Sequence, residues 1–147
     1  MSNGEVEIVL VEDNPNDAEL IIRSLRKHHL ANKLVLLKDG AKALECLFAP
    51  GDPDRKSGDR APRVVLLDIK LPKVDGIEIL RRMKSDARTK DIPVVILTSS
   101  NEDRDVKEAY ALGVNSFVTK PIKFDEFAKV VAELGIYWLM VNVPPVR

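Results

Sequence analysis

The sequence predicts an α/β fold, in which five parallel strands alternate with helices along the chain. Five short runs are continuously apolar and rich in valine, which is typical of strands that are buried on both faces of a parallel sheet. A stretch with the helical spacing of apolar residues follows each run. The predicted strands are "IVLV" at 8–11, "LVLL" at 34–37, "VVLL" at 64–67, "VVIL" at 94–97 and "SFVT" at 116–119.

The first predicted helix covers residues 15–30 and has a recognisable amino end. Asn14 or Asp13 can cap it, and Pro15 suits its first turn because proline is tolerated there. Its predicted buried face is formed by Ala18, Ile21, Ile22 and Leu25.

The other four predicted helices have signals of their own. Ile77, Leu80 and Met83 recur at helical spacing in the third. Acidic residues in the first turn favour the fourth, and Gly113 is expected to end it. Gly135 is expected to end the fifth in the same way. These helices are predicted at 40–48, 75–86, 102–113 and 123–135.

The chain has 147 residues, which favours a single domain over residues 1–147. Its core is expected over about residues 6–134. Residues 49–62 are rich in proline, glycine and charge, and they are expected to form a long exposed loop. Residues 135–147 form an apolar tail.

The composition excludes several classes of protein. Basic residues number 23 and acidic residues number 23, so the formal net charge is zero and no nucleic-acid partner is expected. The single cysteine, Cys46, excludes an internal disulfide and a multi-cysteine metal site. No signal peptide or membrane-length apolar run is visible, so the protein is expected to be cytoplasmic, with no membrane partner.

Polar side chains stand at the carboxyl ends of four predicted strands. Glu12 and Asp13 follow the first, Asp68 follows the third, Thr98 ends the fourth and Lys120 follows the fifth. Ligands of open parallel sheets bind at this edge, where the strand order reverses. With the common order 2-1-3-4-5, the first and third strands are neighbours at the reversal. The three acids are then expected to converge, with Thr98 and Lys120 approaching them.

This set of residues suits phosphoryl chemistry. Three close carboxylates repel each other unless a cation lies among them, and oxygen ligands with room for water suit Mg²⁺. An aspartate nucleophile forms an acyl phosphate with phosphorus. A lysine can offset phosphoryl charge, and a threonine hydroxyl can donate a hydrogen bond. Each residue alone has a plainer explanation as a turn, a cap or a solvated charge, but the combination does not.

The motifs "ED", "D" followed by "LPKVDG", "TS" and "KP" resemble the receiver domain of two-component response regulators, a flavodoxin-like (βα)5 fold. The resemblance implies that a sensor histidine kinase phosphorylates Asp68. It implies that Mg²⁺, or Mn²⁺ in its place, is held by Glu12, Asp13, Asp68 and the backbone carbonyl of Lys70. Such a protein is not an enzyme in the usual sense, since it catalyses only its own phosphorylation and dephosphorylation.

The same resemblance assigns roles to the remaining residues. Thr98 and Lys120 are expected to bind the phosphoryl oxygens. Thr98 and the aromatic Phe117 are expected to form a switch. The peptide bond between Lys120 and Pro121 is expected to be cis, which X-Pro bonds can adopt.

A narrower resemblance concerns the partner. "LVEDNPNDAELI", the long loop before the third strand, "ILTSSNEDRDV" and a tryptophan after the last helix are similar to single-domain regulators paired with bacterial phytochromes. A bacteriophytochrome is therefore the expected kinase, and the signal is expected to pass by protein contact or onward phosphotransfer. The tail predicts a homodimer with Tyr137, Trp138 and Leu139 in its interface. The alternative is that the tail continues the fifth helix and packs on its own domain.

Three other functions fit these residues less well. A phosphatase of the haloacid dehalogenase type needs a second carboxylate two residues after the nucleophile, where this chain has Lys70. A pseudo-receiver that only binds partners would not need the full set of acids, threonine and lysine. A flavin carrier needs a phosphate-binding loop after the first strand, where Glu12 and Asp13 would repel phosphate.

Overall fold

The computed structural model describes residues 6–48 and 61–145. Five parallel strands form one sheet in the order β2-β1-β3-β4-β5, which confirms the predicted fold. The strands are β1 (Ile8–Val11), β2 (Leu34–Leu37), β3 (Val64–Leu67), β4 (Val94–Thr98) and β5 (Ser116–Thr119). The helices are α1 (Pro15–Lys27), α2 (Gly40–Leu47), α3 (Gly76–Ser85), α4 (Asp103–Leu112) and α5 (Phe124–Ile136). The predicted loop at 49–62 lies outside the described residues except for its last two positions.

Apolar side chains are buried on both faces of the sheet, because successive strand residues point to opposite sides. On one face, Val9, Val65 and Ile96 pack against helices α2, α3 and α4. On the other, Leu10 and Leu66 pack against α1 and α5. This explains why the central runs are continuously apolar. The two edge strands, β2 and β5, are only partly buried.

The helix caps leave the acids of the first loop free for the site. Asn14 caps α1, and its Oδ1 accepts hydrogen bonds from the backbone N–H groups of Asn16 at 2.9 Å and Asp17 at 3.1 Å. Asp13 is therefore not the cap, and its side chain is exposed. Gly113 ends α4 as predicted, with a φ of 98° in the left-handed region that favours glycine.

Two glycines allow the loop between β3 and α3 to be held tightly. A Cβ atom at Gly76 would lie 2.0 Å from the backbone oxygen of Asp68. A Cβ atom at Gly40 would lie 1.8 Å from the backbone oxygen of Val74. The backbone N–H of Gly76 also donates to the carbonyl of Ile69 at 2.8 Å. The first turns of α2 and α3 thus press directly on the loop that follows Asp68.

The prediction that Gly135 ends the fifth helix is wrong. Helix α5 continues to Ile136 and passes into a π-helical segment, Tyr137–Val141. A Cβ atom at Gly135 would lie 2.4 Å from Cδ2 of Leu25 and 3.0 Å from Cδ1 of Leu30. The glycine is needed because α5 and α1 approach closely there, and not because the helix stops.

The tail packs on its own chain along one side, as the alternative expectation had it. Trp138 and Leu139 are partly buried against the apolar cluster of α1 and α5. The guanidinium of Arg63 donates to the backbone oxygen of Leu139 at 3.1 Å. Of the three predicted interface residues, Tyr137 is exposed, whereas Trp138 and Leu139 are partly buried against their own chain. Their place in a dimer interface stays a prediction. Among residues 6–48 and 61–145, no helix combines the length and the hydropathy that a membrane span requires.

Candidate functional site

The predicted acids meet at the carboxyl edge of the sheet. Val11 pairs with Leu67 in the β1–β3 ladder, so Glu12 and Asp68 leave the sheet side by side. Both are buried, with exposures of 2% and 7%. The adjacent Asp13 is exposed and faces solvent. The register of the parallel strands thus brings together carboxylates that are 56 positions apart in sequence, 12 against 68.

Lys120 lies at the centre of the site. Its backbone N–H donates to the carbonyl of Thr98 at 2.7 Å, which joins the ends of β4 and β5. Its ammonium Nζ lies 2.7 Å from Oε1 of Glu12, 2.8 Å from Oδ2 of Asp17 and 3.0 Å from Oδ2 of Asp68. The residue is only 9% exposed, so these ion pairs are largely shielded from water.

Asp17 is a site residue that sequence reasoning missed. It lies in the first turn of α1, where an acidic residue is already explained by the positive end of the helix dipole. The sequence offered one signal for it, which is its position three residues after the Asn14 cap. That spacing is almost one helical turn, so its carboxylate returns toward the end of β1. Nothing local indicates that Lys120, 103 residues away, is its partner.

The carboxylate of Asp68 is held at both oxygens. Oδ2 accepts from the Lys120 ammonium at 3.0 Å, and Oδ1 accepts from the backbone N–H of Ile69 at 2.7 Å. A strand end and two hydrogen bonds therefore fix its orientation before any substrate arrives. Such preorganisation lowers the entropic cost of bringing a nucleophile to its target.

The charges in the site shift the pKa values of two groups. Burial raises the pKa of Glu12 to about 7; the hydrogen bond from Lys120 opposes this shift and the charge of Asp68 adds to it. Burial alone would lower the pKa of Lys120, but its hydrogen bonds to Asp17 and Glu12 outweigh burial and hold the pKa well above its ordinary value. The single ammonium, shared among three carboxylates, does not neutralise them all.

The remaining excess of negative charge suits a divalent cation. One carboxylate oxygen from each of Glu12, Asp13 and Asp68 lies within 4.8 Å of the other two. Hard oxygen donors at an edge with solvent access are the ligands that Mg²⁺ prefers. These residues fit the ion that the sequence predicted. The backbone carbonyl of Lys70 stays a prediction as a further ligand; its side chain is exposed.

Thr98 and Phe117 lie on one face of the sheet, on neighbouring strands. Ile96 pairs with Phe117, and Thr98 is two residues beyond Ile96, so their side chains share that face. Thr98 is buried, and its Oγ1 accepts from the backbone N–H of Ser100 at 3.3 Å. Phe117 is partly buried against the α2, α3 and α4 side of the core. This placement is compatible with the predicted switch.

The expected cis bond between Lys120 and Pro121 is wrong, because the described residues contain no cis peptide bond. The trans form is intrinsically favoured for X-Pro bonds by roughly 0.5–1 kcal/mol. With the bond in trans, the Lys120 ammonium already reaches all three of its carboxylate partners. These three ion pairs therefore form without a cis bond.

Without metal, we expect the protein to lose stability as the pH rises from 4.5, the ordinary pKa of Glu12, to about 7, its value in the fold. Between these values the folded state binds a proton that the unfolded state has released, so deprotonation favours unfolding. Above this range, a hundredfold excess of Mg²⁺ over its Kd should restore about 2.7 kcal/mol, or roughly 5–10 °C in Tm. Calorimetry over a pH series, with and without Mg²⁺, measures both effects.

Asp13→Asn is the matched variant for this experiment. It should keep the pH dependence, which arises from buried Glu12, and lose most of the stabilisation by Mg²⁺. If Mg²⁺ stabilises Asp13→Asn as much as the wild type, Asp13 is a loop residue and not a metal ligand.

Fold and site define a class of protein, and comparison with known families agrees. A family model described as the response regulator receiver domain matches residues 8–132. The chain belongs to this family, whose members act in two-component phosphorelay signalling.

Individual relatives cover nearly the whole chain. It is 42% identical to the "Probable methanogenesis regulatory protein FilR2" of Methanothrix harundinacea, over 94% of this chain and 86% of that protein. It is 36% identical to response regulator Rcp1 of Synechocystis, over 94% of this chain and 92% of Rcp1.

Solved structures give the same result. The phosphorylated cyanobacterial phytochrome response regulator RcpA matches with a TM-score of 0.86 and 33% identity, over 97% of this chain and 100% of that one. The Mn²⁺-bound form of Rcp1 matches with a TM-score of 0.84 and 34% identity, over 95% and 98%.

Proposed function

We propose that Asp68 accepts a phosphoryl group from a phosphohistidine of a sensor histidine kinase. The observation that carries the proposal is the Asp68 carboxylate, buried and oriented 3.0 Å from the Lys120 ammonium at the edge of a parallel sheet. A carboxylate oxygen of Asp68 attacks phosphorus and forms the P–O bond of an acyl phosphate. The P–N bond to the imidazole breaks, and the imidazole leaves with the electron pair and takes up a proton.

The other residues of the site support this transfer. Lys120 and Thr98 bind the phosphoryl oxygens, where the ammonium offsets charge that builds up during transfer. Glu12, Asp13, Asp68 and the Lys70 carbonyl hold Mg²⁺, which when bound supplies charge neutralisation for the crowded oxygens. Mn²⁺ is the alternative ion, and the similarity to Mn²⁺-bound Rcp1 supports it. The chain acts on no substrate beyond its own phosphorylation and dephosphorylation.

The proposed kinase is a bacteriophytochrome, and the proposed location is the cytoplasm. The support for this pairing is the similarity to RcpA, a phytochrome response regulator, over the whole length of that chain. The similarity to FilR2 favours a kinase of another signal. Phosphotransfer profiling against purified kinases of both kinds separates the two, since a cognate kinase transfers its phosphoryl group faster than the others do.

The direct test is intact-mass spectrometry after incubation with Mg²⁺ and acetyl phosphate. One added phosphoryl group, lost on omission of the metal, supports the proposal. No mass gain under either condition, or from either kinase, would leave the fold as a pseudo-receiver that only binds partners.

The Thr98→Ala variant is expected to accept the phosphoryl group but to transmit the conformational change poorly to α4, β5 and α5. Phosphorylation adds charge and acceptor oxygens, toward which the Thr98 hydroxyl moves, leaving space that Phe117 fills. Amide NMR shifts in α4, β5 and α5 on phosphorylation should therefore be smaller than in the wild type. Thr98→Ser, which keeps the hydroxyl, should restore them. Shifts of wild-type size in the alanine variant would disconnect Thr98 from the switch.

We also propose a homodimer that uses the exposed side of the tail. Tyr137, Met140 and Val141 are exposed there, with Met140 at 70%. Ile122 and Phe124, just before and at the start of α5, are exposed as well. Such apolar surface favours association, and a two-fold pair is the commonest arrangement.

Sedimentation velocity tests the dimer. Met140→Glu is expected to raise the dimer Kd by about tenfold or more, the scale of a single important interface residue. It should leave the melting curve nearly unchanged because the side chain is exposed. A wild type that stays monomeric at high micromolar concentration would refute the dimer.

A further inference from the structure

The proposed function assigns no role to the contact between Asp17 and Lys120. We propose that Asp17 is a positioning residue: its carboxylate holds one hydrogen of the Lys120 ammonium so that another stays directed at the oxygen of Asp68. This inference rests on the proposed phosphorylation of Asp68. It assigns to Asp17 a part in the rate of that reaction, separate from the metal.

The hydrogens of the ammonium are all accounted for. A lysine ammonium has three N–H donors, and three carboxylate oxygens lie 2.7–3.0 Å from Nζ. Each oxygen comes from a different element, namely the loop after β1, the first turn of α1 and the end of β3. Three acceptors in three directions fix the end of a side chain that otherwise rotates about a flexible four-carbon stem.

Asp17 is itself well placed to act as an anchor. Its backbone N–H donates to Oδ1 of the Asn14 cap at 3.1 Å, which fixes it in the first turn of α1. Its neighbour Ala18 is buried in the core, so this turn is attached to the sheet. The positive end of the helix dipole stabilises its charge. Its side chain is 29% exposed, compared with 2% for that of Glu12.

Asp17 can be separated from the metal ligands by experiment, whereas Glu12 cannot. The oxygens that cluster for a cation belong to Glu12, Asp13 and Asp68, and Asp17 is not in that group. When Asp68 becomes an acyl phosphate, the Lys120 ammonium donates one of its three hydrogen bonds to a phosphoryl oxygen. Glu12 and Asp17 continue to accept the other two. Loss of Asp17 should therefore disturb the orientation of the Lys120 ammonium and leave the affinity for Mg²⁺ unchanged.

The test compares Asp17→Ala and Asp17→Asn with Glu19→Gln in the full chain. Glu19 lies two residues further along α1, pairs with Arg23 and is largely exposed, so its variant removes the same charge away from Lys120. The rate of phosphorylation by acetyl phosphate is measured at saturating Mg²⁺. The Mg²⁺ Kd and the ¹H–¹⁵N NMR signal of the Lys120 ammonium are measured on the same proteins.

The alanine variant is expected to react about tenfold more slowly, the scale of one lost charge-assisted hydrogen bond. Its Mg²⁺ Kd should stay within about twofold, since no metal ligand changes. The Lys120 ammonium signal should shift or broaden beyond detection. Asp17→Asn keeps an acceptor oxygen without the charge, so its rate and signal should fall between those of alanine and wild type. Glu19→Gln should match the wild type.

Each outcome decides the inference. A folded Asp17→Ala protein with wild-type rate and ammonium signal overturns it, as does a loss of Mg²⁺ affinity as large as the loss of rate. If Asp17→Ala does not fold, Asp17→Asn with an unchanged signal and rate overturns it. A wild type that is never phosphorylated refutes the proposed function instead, and the ammonium signal then still reports whether Asp17 holds Lys120.

Discussion

Asp68→Asn is expected to abolish phosphorylation, both by acetyl phosphate and by a cognate kinase. An amide oxygen is a poor nucleophile without a negative charge, and an acyl phosphate cannot form on it. Neither of the two other predicted metal ligands is expected to replace Asp68. Glu12 is buried and engaged with Lys120, and Asp13 is exposed rather than held beside the ammonium.

The asparagine variant should still fold. Its side chain has the same shape. An amide has one oxygen in place of the two carboxylate oxygens, so it can replace either the hydrogen bond from the backbone N–H of Ile69 or the one from the Lys120 ammonium. Removal of the Asp68 charge also relieves repulsion, so the pKa of Glu12 should fall from about 7 toward its ordinary value. A lowered Glu12 pKa in an NMR titration would therefore show that the site is intact in a variant that carries no phosphoryl group.

Asp103→Asn is the matched control, because this aspartate is exposed at the start of α4. It should gain one phosphoryl group like the wild type. Intact mass after incubation with Mg²⁺ and phosphodonor distinguishes the proteins. Full labelling of Asp68→Asn would show that another residue is the acceptor and would sink the assignment.

Gly76→Ala is expected to damage both stability and phosphorylation, although it adds only one methyl group. The new Cβ would lie 2.0 Å from the backbone oxygen of Asp68 and 2.9 Å from Cα of Ile69. Both are backbone atoms, so the clash cannot be relieved by a side-chain rotation. Overpacking of this kind costs on the order of 3 kcal/mol, or roughly 6–12 °C in Tm. The backbone that carries Asp68 must shift, and a displacement of about 1 Å can slow a reaction by about a hundredfold.

Gly113→Ala is the control, because it makes the same chemical change at a glycine far from the site. Its Cβ would meet only the side chain of Lys84, at 3.8 Å, so there is space for it. Its φ of 98° still costs roughly 1–2 kcal/mol for a residue with a Cβ. Phosphorylation of the folded protein should match the wild type. Equal losses of phosphorylation rate in both variants would mean that Gly76 acts through general stability and not through Asp68.

The sequence predicted strands, helices and most of the site because those features have local signals. Buried parallel strands need continuous apolar runs, as at Val64–Leu67. Polar residues at the carboxyl ends of such strands must lie at one edge of the sheet, whatever the details of packing. Glu12, Asp68, Thr98 and Lys120 could therefore be placed together before their distances were known.

Where a local signal is compatible with two structures, the sequence left both open or predicted the wrong one. Asn14 and Asp13 were equally plausible caps, and the backbone path selected Asn14. Glycine is typical of a helix end, which is why Gly135 was expected to end α5. The close approach of Leu25 and Leu30 instead requires a residue without a side chain there. A glycine signals either conformational freedom or a missing side chain, and its neighbours in space determine which applies.

The sequence by itself determined the fold class, the strand order in its common form and the identity of the three acids that follow β1 and β3, because periodicity and strand ends are properties of short segments. Tertiary structure alone decided that Asp17 shares Lys120 and that the tail lies along its own core. Both depend on how α1 and α5 pack side by side on the sheet. The physical reason is that a local pattern shows which face of a helix is buried, while the distance and angle to its neighbour follow from the shapes of side chains far apart in the sequence.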